Sequence, residues 1–171
     1  MPRRAHLITA GAILLFTAGA HAFNFEFARA TSSAGQFSVL LPRPFAELPP
    51  NFGVSRTAAI RPKKSFIIGG KPAPGVIFIA TKMVYDSAAS ASSVVKNLTS
   101  EPLGFTRVYV KEVKAAGLAG MEIKSASRSA VGYRRILVAG DTVFILSVAA
   151  PAANDAEIKE PARRFLDSLT Q

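Results

Sequence analysis

No cysteine occurs in the 171 residues, so no disulfide can staple this chain and its fold must be held by buried apolar surface alone. Thiolate chemistry and cysteine-ligated zinc are absent for the same reason. Only two histidines are present, His6 and His21, and both fall in a first segment with the plan of a secretory signal. Arg3 and Arg4 precede an apolar run from Leu7 to Ala20, and Ala20-His21-Ala22 is a small-x-small cleavage site. Thr9, Gly11, Thr17 and Gly19 interrupt the run. It is shorter than the roughly 20 continuous apolar residues of a membrane anchor.

Residues 1–22 are therefore read as a cleaved signal peptide and residues 23–171 as one domain, periplasmic or secreted. The absence of a cysteine after the run excludes a lipid-modified amino terminus. Later apolar stretches, such as Val76 to Ala80 and Val143 to Ala150, have strand length, so no transmembrane span is expected after cleavage. With both histidines in the leader, the mature part lacks the usual acid-base, thiol and zinc ligands, and no cofactor is implied.

Apolar periodicity supplies the elements. Phe23 to Ala30 and Gln36 to Leu41 read as two strands joined by a polar turn, with Phe37, Val39 and Leu41 on one face. Pro42, Pro44, Pro49 and Pro50 then mark a loop pinned by Phe45, Leu48 and Phe52. Val54 to Arg61 reads as a strand, and Gly69 to Gly75, rich in glycine and proline, as an exposed turn. Val76 to Tyr85 is apolar on both faces, which places it centrally in a sheet. Asp86 or Ser87 caps a helix reaching Leu98, ended by Pro102 and Gly104.

Four strands follow, at Phe105 to Lys114, Ala119 to Arg128, Tyr133 to Ala139 and Thr142 to Ala149, with a type II' turn at Gly140-Asp141. Met121 and Ile123 alternate with Glu122 and Lys124, which predicts one wet face on that strand. A final helix, capped by Asn154 or Asp155, carries the stripe Ile158, Ala162, Phe165, Leu166 and Leu169. The fold class is α+β, an antiparallel sheet of about six to seven strands with two main helices packed on it.

The segments Gly35 to Val39 with Pro42, the helix after Tyr85-Asp86, the strands around Tyr133-Arg134-Arg135, and the closing Arg164 to Ser168 resemble the PsbP-like group. The resemblance spans most of the mature chain. It implies an antiparallel sheet sandwiched by helices in an exported protein, and carries over no site residues.

Three motifs invite chemistry. Ser93-Val94-Val95-Lys96 has the Ser-x-x-Lys spacing of a serine nucleophile one helical turn from a lysine, but Lys-Thr-Gly and Ser-Asp-Asn are absent. Gly69-Gly70-Lys71 lacks the remainder of a phosphate loop, and Pro72 and Pro74 remove amide donors from it. Asp155-Ala156-Glu157 with Glu160 lacks the repeated oxygen ligands of a calcium loop, and helix-dipole complementarity accounts for these acids. Asp86, Glu101, Glu112, Glu122 and Asp141 show no spacing diagnostic of a carboxylate pair.

Charge is the remaining signal. The formal net charge is +10, or +8 once Arg3 and Arg4 leave with the leader. Arg56, Arg61, Lys63, Lys64, Lys71 and Lys82 lie in a stretch without an acid. They form the candidate surface for an anionic envelope polymer, a lipid surface or an envelope protein. No nucleic-acid recognition motif accompanies them. The leading expectation is a non-enzymatic binding or accessory protein of the envelope. The alternatives are a small envelope hydrolase using Ser93 and Lys96 or a carboxylate pair, and a structural accessory subunit of a protein complex.

Overall fold

The computed structural model describes residues 23–52, 60–99 and 104–171. The predicted leader, the predicted strand at Val54 apart from its end, and Pro102 lie outside these residues.

Phe37, Val39 and Leu41 are buried on one side of a hairpin in which β1 (Phe27–Ser32) pairs antiparallel with β2 (Phe37–Pro42). This hairpin forms its own two-stranded sheet. The main sheet has seven strands: β3 (Phe45–Leu48), β4 (Lys64–Ala73), β5 (Val76–Val84), β6 (Thr106–Ala115), β7 (Leu118–Ala126), β8 (Ala130–Ala139) and β9 (Thr142–Pro151). Their order is β3-β4-β5-β9-β8-β7-β6, with every neighbour antiparallel.

Helix α1 (Ala88–Leu98) lies between β5 and β6 in sequence, and the meander that follows brings β9 back beside β5. That return explains why β5 and β9 are the strands with apolar residues on both faces: both are interior and both faces are covered.

Two cores result. On one face α2 (Asp155–Leu166) and the β1-β2 hairpin cover Phe78, Phe144, Leu146 and Val148. The predicted stripe supplies the helix side: Ile158, Ala162 and Phe165 have no exposed surface, and Phe165 meets Phe78 edge-on at 5.5 Å. Full burial of each large side chain contributes about 1.5–3 kcal/mol. On the other face α1 packs Ala91, Val94, Val95 and Leu98 on Ile123, Ile136 and Val143. Its amino end is capped as predicted, Ser87 Oγ accepting from the Ser90 amide at 3.1 Å.

Three expectations change. The segment after Pro42 is not only a loop, because Phe45–Leu48 pairs with Ile67 to Gly70 as an edge strand, the position where nearby prolines are tolerated. Gly69 and Gly70 belong to β4, and the turn shrinks to Pro74-Gly75. A Cβ on Gly70 would stand 2.3 Å from the Pro44 carbonyl oxygen, so the glycine serves close strand approach. The predicted wet face of β7 is covered: Glu122 is only 5% exposed.

Candidate functional site

Strands β6, β7 and β8 each send two polar side chains, two residues apart, toward the α2 side. Cross-strand pairing aligns them in two rows, Tyr109-Lys124-Tyr133 and Lys111-Glu122-Arg135. Asp155, Lys159, Arg163 and Asp167 of α2 and its carboxyl end face them across a cleft of about 900 Å³.

Glu122 is the hub. It accepts from Tyr109 Oη at 3.0 Å, Lys111 Nζ at 2.7 Å and Arg135 Nε at 3.2 Å. Burial pushes its pKa up, but the Lys111 and Arg135 bonds outweigh burial and hold the carboxyl below its usual range. Arg135 also donates to Asp167 Oδ1 at 2.7 Å and to the Leu166 carbonyl at 2.8 Å, which ties the sheet to the last turn of α2.

A second knot forms at the other end of the cleft. Asp155 accepts from Lys124 Nζ at 2.7 Å and from the Tyr133 hydroxyl. Burial again opposes ionisation, and the Lys124 and Tyr133 bonds again prevail, leaving Asp155 below its ordinary value. Burial first and the adjacent carboxylates second push both phenols well above the usual tyrosine range, so Tyr109 and Tyr133 stay neutral donors. Asp155 stands in the first turn of α2, as the helix-dipole reading expects, and its side chain also reaches across to the sheet.

The basic stretch divides. Arg56 lies outside the described residues, and Arg61 is exposed. Lys63 pairs with Asp86 at 2.8 Å, and Lys64 is exposed at the start of β4. Lys82 donates to the Gly35 carbonyl at 2.7 Å and stands over the Phe144 ring, so it helps seat the hairpin. Lys63, Lys64 and Lys82 share a hollow of about 410 Å³ with Asp86 and Asp141. Lys71, seven residues on from Lys64, lies about 23 Å along the strand at the usual rise per residue. Sequence proximity gathered six cations; among the described residues three of them share one hollow with two acids.

Ser93 and Lys96 are both on the exposed side of α1, and neither lines the α2 cleft or the hollow around Lys82. Among the described residues no three acids or histidines gather as a metal site, and no helix is long and apolar enough to cross a membrane.

The fold and the cleft define an α+β sandwich in which the closing helix caps a polar floor on one end of an antiparallel sheet. No protein-family model matches the sequence, and no curated protein matches it either. Among solved structures, cyanobacterial PsbP (CyanoP) from Synechocystis sp. superposes with a TM-score of 0.55 over 91% of this chain and 97% of that one, at 7% identity. LpqN of Mycobacterium tuberculosis, involved in cell envelope biogenesis, superposes with a TM-score of 0.50 over 86% and 91%, at 12% identity. The chain has the PsbP-like fold.

Proposed function

We propose that this chain is exported, losing residues 1–22, and works in the periplasm or outside the cell as a non-enzymatic binding or accessory protein of the envelope. The observation that carries this reading is the α2 cleft. Its three acids, Glu122, Asp155 and Asp167, are held in ion pairs, and they face five cations, of which Lys111 and Arg163 are paired yet exposed and Lys159 is exposed as well. A carboxylate kept ionised by two or three donors is a weak proton acceptor and a poor nucleophile. The surplus of exposed cations suits a negatively charged partner, with affinity that falls as salt screens the charges.

A second reading, an accessory subunit of a protein complex, is favoured by β6. Among the described residues this ten-residue edge strand pairs with a strand on one side, β7, and its bulge leaves Val108 54% exposed.

Recovery of the protein from envelope fractions across a salt series tests both. Salt-sensitive retention that is lost in a Lys159→Ala, Arg163→Ala double variant supports the cleft. Loss instead in Lys63→Ala, Lys64→Ala, Lys71→Ala moves the contact to β4. Salt-resistant recovery of one defined protein supports the accessory subunit. No retention, combined with turnover of an envelope substrate, overturns the non-enzymatic reading.

A further inference from the structure

Strand β8 sends Tyr133 and Arg135 toward α2, and therefore sends Arg134 to the opposite face, beside the carboxyl end of α1. There Arg134 sits between Ile123 of β7 and Ser147 of β9. With Leu98, Phe105 and Gly132 these residues line a mostly apolar groove of about 190 Å³. Gly132 keeps the groove open: a Cβ built there meets nothing nearer than the Val148 carbonyl oxygen at 3.8 Å.

Among the described residues no carboxylate pairs with Arg134 and no acceptor bonds its guanidinium. Burial alone acts on it and lowers its pKa from the ordinary arginine value. A half-buried cation without a counter-charge is costly, and the cost disappears when an anion occupies the groove.

We propose that this groove binds a monocarboxylate with a short aliphatic tail, the carboxylate on the Arg134 guanidinium and the tail along Leu98, Phe105 and Ile123. The planar guanidinium presents two parallel donors that match a carboxylate. One arginine balances one charge, whereas a phosphate monoester carries close to two and would leave the excess unpaired against apolar walls. The groove is smaller than the roughly 300–1,000 Å³ of pockets for drug-sized ligands, which limits the tail to a few carbons in contact. Ser147, directly opposite Arg134, adds a hydroxyl donor for the second oxygen.

Calorimetric titration of the purified protein with octanoate tests the assignment, with acetate, 1-octanol and octyl phosphate as comparison probes. Octanoate is expected to bind at least about tenfold more tightly than each of the three. Arg134→Gln, and independently Gly132→Val, which fills the groove, should each weaken octanoate by at least about tenfold. Arg134→Gln should not lower the melting temperature of the unliganded protein, because it removes an uncompensated charge. Equal binding of octanoate and octanol, equal binding by the parent and Arg134→Gln, or a preference for octyl phosphate overturns the proposal.

Discussion

Arg134 and Arg135 are neighbours in β8 that leave the strand on opposite faces, and the two faces treat a buried cation in opposite ways. Arg135 is 6% exposed, and burial disfavours its charge. The bonds to Glu122 and Asp167 more than compensate, so its pKa stands above the ordinary value. Arg134 meets the same desolvation without a partner among the described residues, and its pKa stands below. The difference is one of closure. On the α2 face tyrosine, lysine and carboxylate groups complete the network, so the charge belongs to the fold. On the α1 face the surroundings are apolar, so the charge is left for a ligand.

The largest test of that contrast removes the hub. Glu122→Ala strips Arg135 and Lys111 of their shared acceptor, and breaking a buried pair in this way costs about 3–5 kcal/mol. Equilibrium urea unfolding should show the loss, with a fall in melting temperature of about 10 °C. Arg134→Gln in the same assay should show none. Equal losses in the two variants would break the comparison, because both arginines would then be structural.

Two glycines on these faces also differ in how closely the neighbouring backbone approaches them. A Cβ on Gly120, on the α2 face of β7, would stand 1.9 Å from the Ile136 carbonyl oxygen, whereas Gly132 on the α1 face has room. Gly120→Ala is therefore expected to cost about 1–3 kcal/mol through strain, and Gly132→Ala to stay within about 0.5 kcal/mol of the parent. Paired urea unfolding of the two variants separates a glycine that the backbone crowds from one that has room.

A smaller effect comes from a single bond. Tyr133→Phe removes one donor from Asp155 and leaves Lys124 in place, which should cost about 1 kcal/mol near neutral pH. The pH dependence gives its sign. Glu122 and Asp155 are held below their ordinary values of 4.5 and 3.8. Their contribution is therefore fully present above those values and is lost as pH falls through the depressed ones. Melting curves taken at decreasing pH should show this acid loss in the parent and a shallower one in Tyr133→Phe.

Much of the architecture was legible because periodicity reports which residues share a face. The stripe from Ile158 to Leu169, the Ser87 cap and the Gly140-Asp141 hairpin all follow from local spacing, and Gly140 does take a positive φ of 60°. What covers a face is not local information. Glu122 and Lys124 looked wet because polar residues alternate with Met121 and Ile123, and nothing in β7 announces that α2 folds over them. One signal was available: Tyr109 and Lys111, Glu122 and Lys124, and Tyr133 and Arg135 repeat a polar pair at a spacing of two on successive strands. That repetition marks a polar layer spanning three strands, whereas a single strand with one such pair marks only a solvated edge. Gly69 and Gly70 lie in β4 and not in a turn for a related reason, since glycine signals a turn and a close strand crossing alike, and only the partner strand distinguishes them.

The smallest expected effect lies on the surface, where charge pairing means least. Lys63 and Asp86 are 2.8 Å apart and Lys124 and Asp155 2.7 Å, yet the side chains of the first pair are 60% and 69% exposed. Water screens the pair, and holding two mobile side chains together offsets the attraction. The bond to Asp86 raises the Lys63 pKa, so any contribution would be present below its ordinary value of 10.5 and lost as pH rises through the folded value. Lys63→Ala should leave the melting temperature unchanged from neutral pH to mildly alkaline conditions, in low salt and high. A clear fall would mean that the hollow shared with Lys82 and Asp141 is closed to solvent when the protein is folded in solution. The contrast drawn between inward and outward charges would then have to be redrawn around burial on β4 as well as beneath α2.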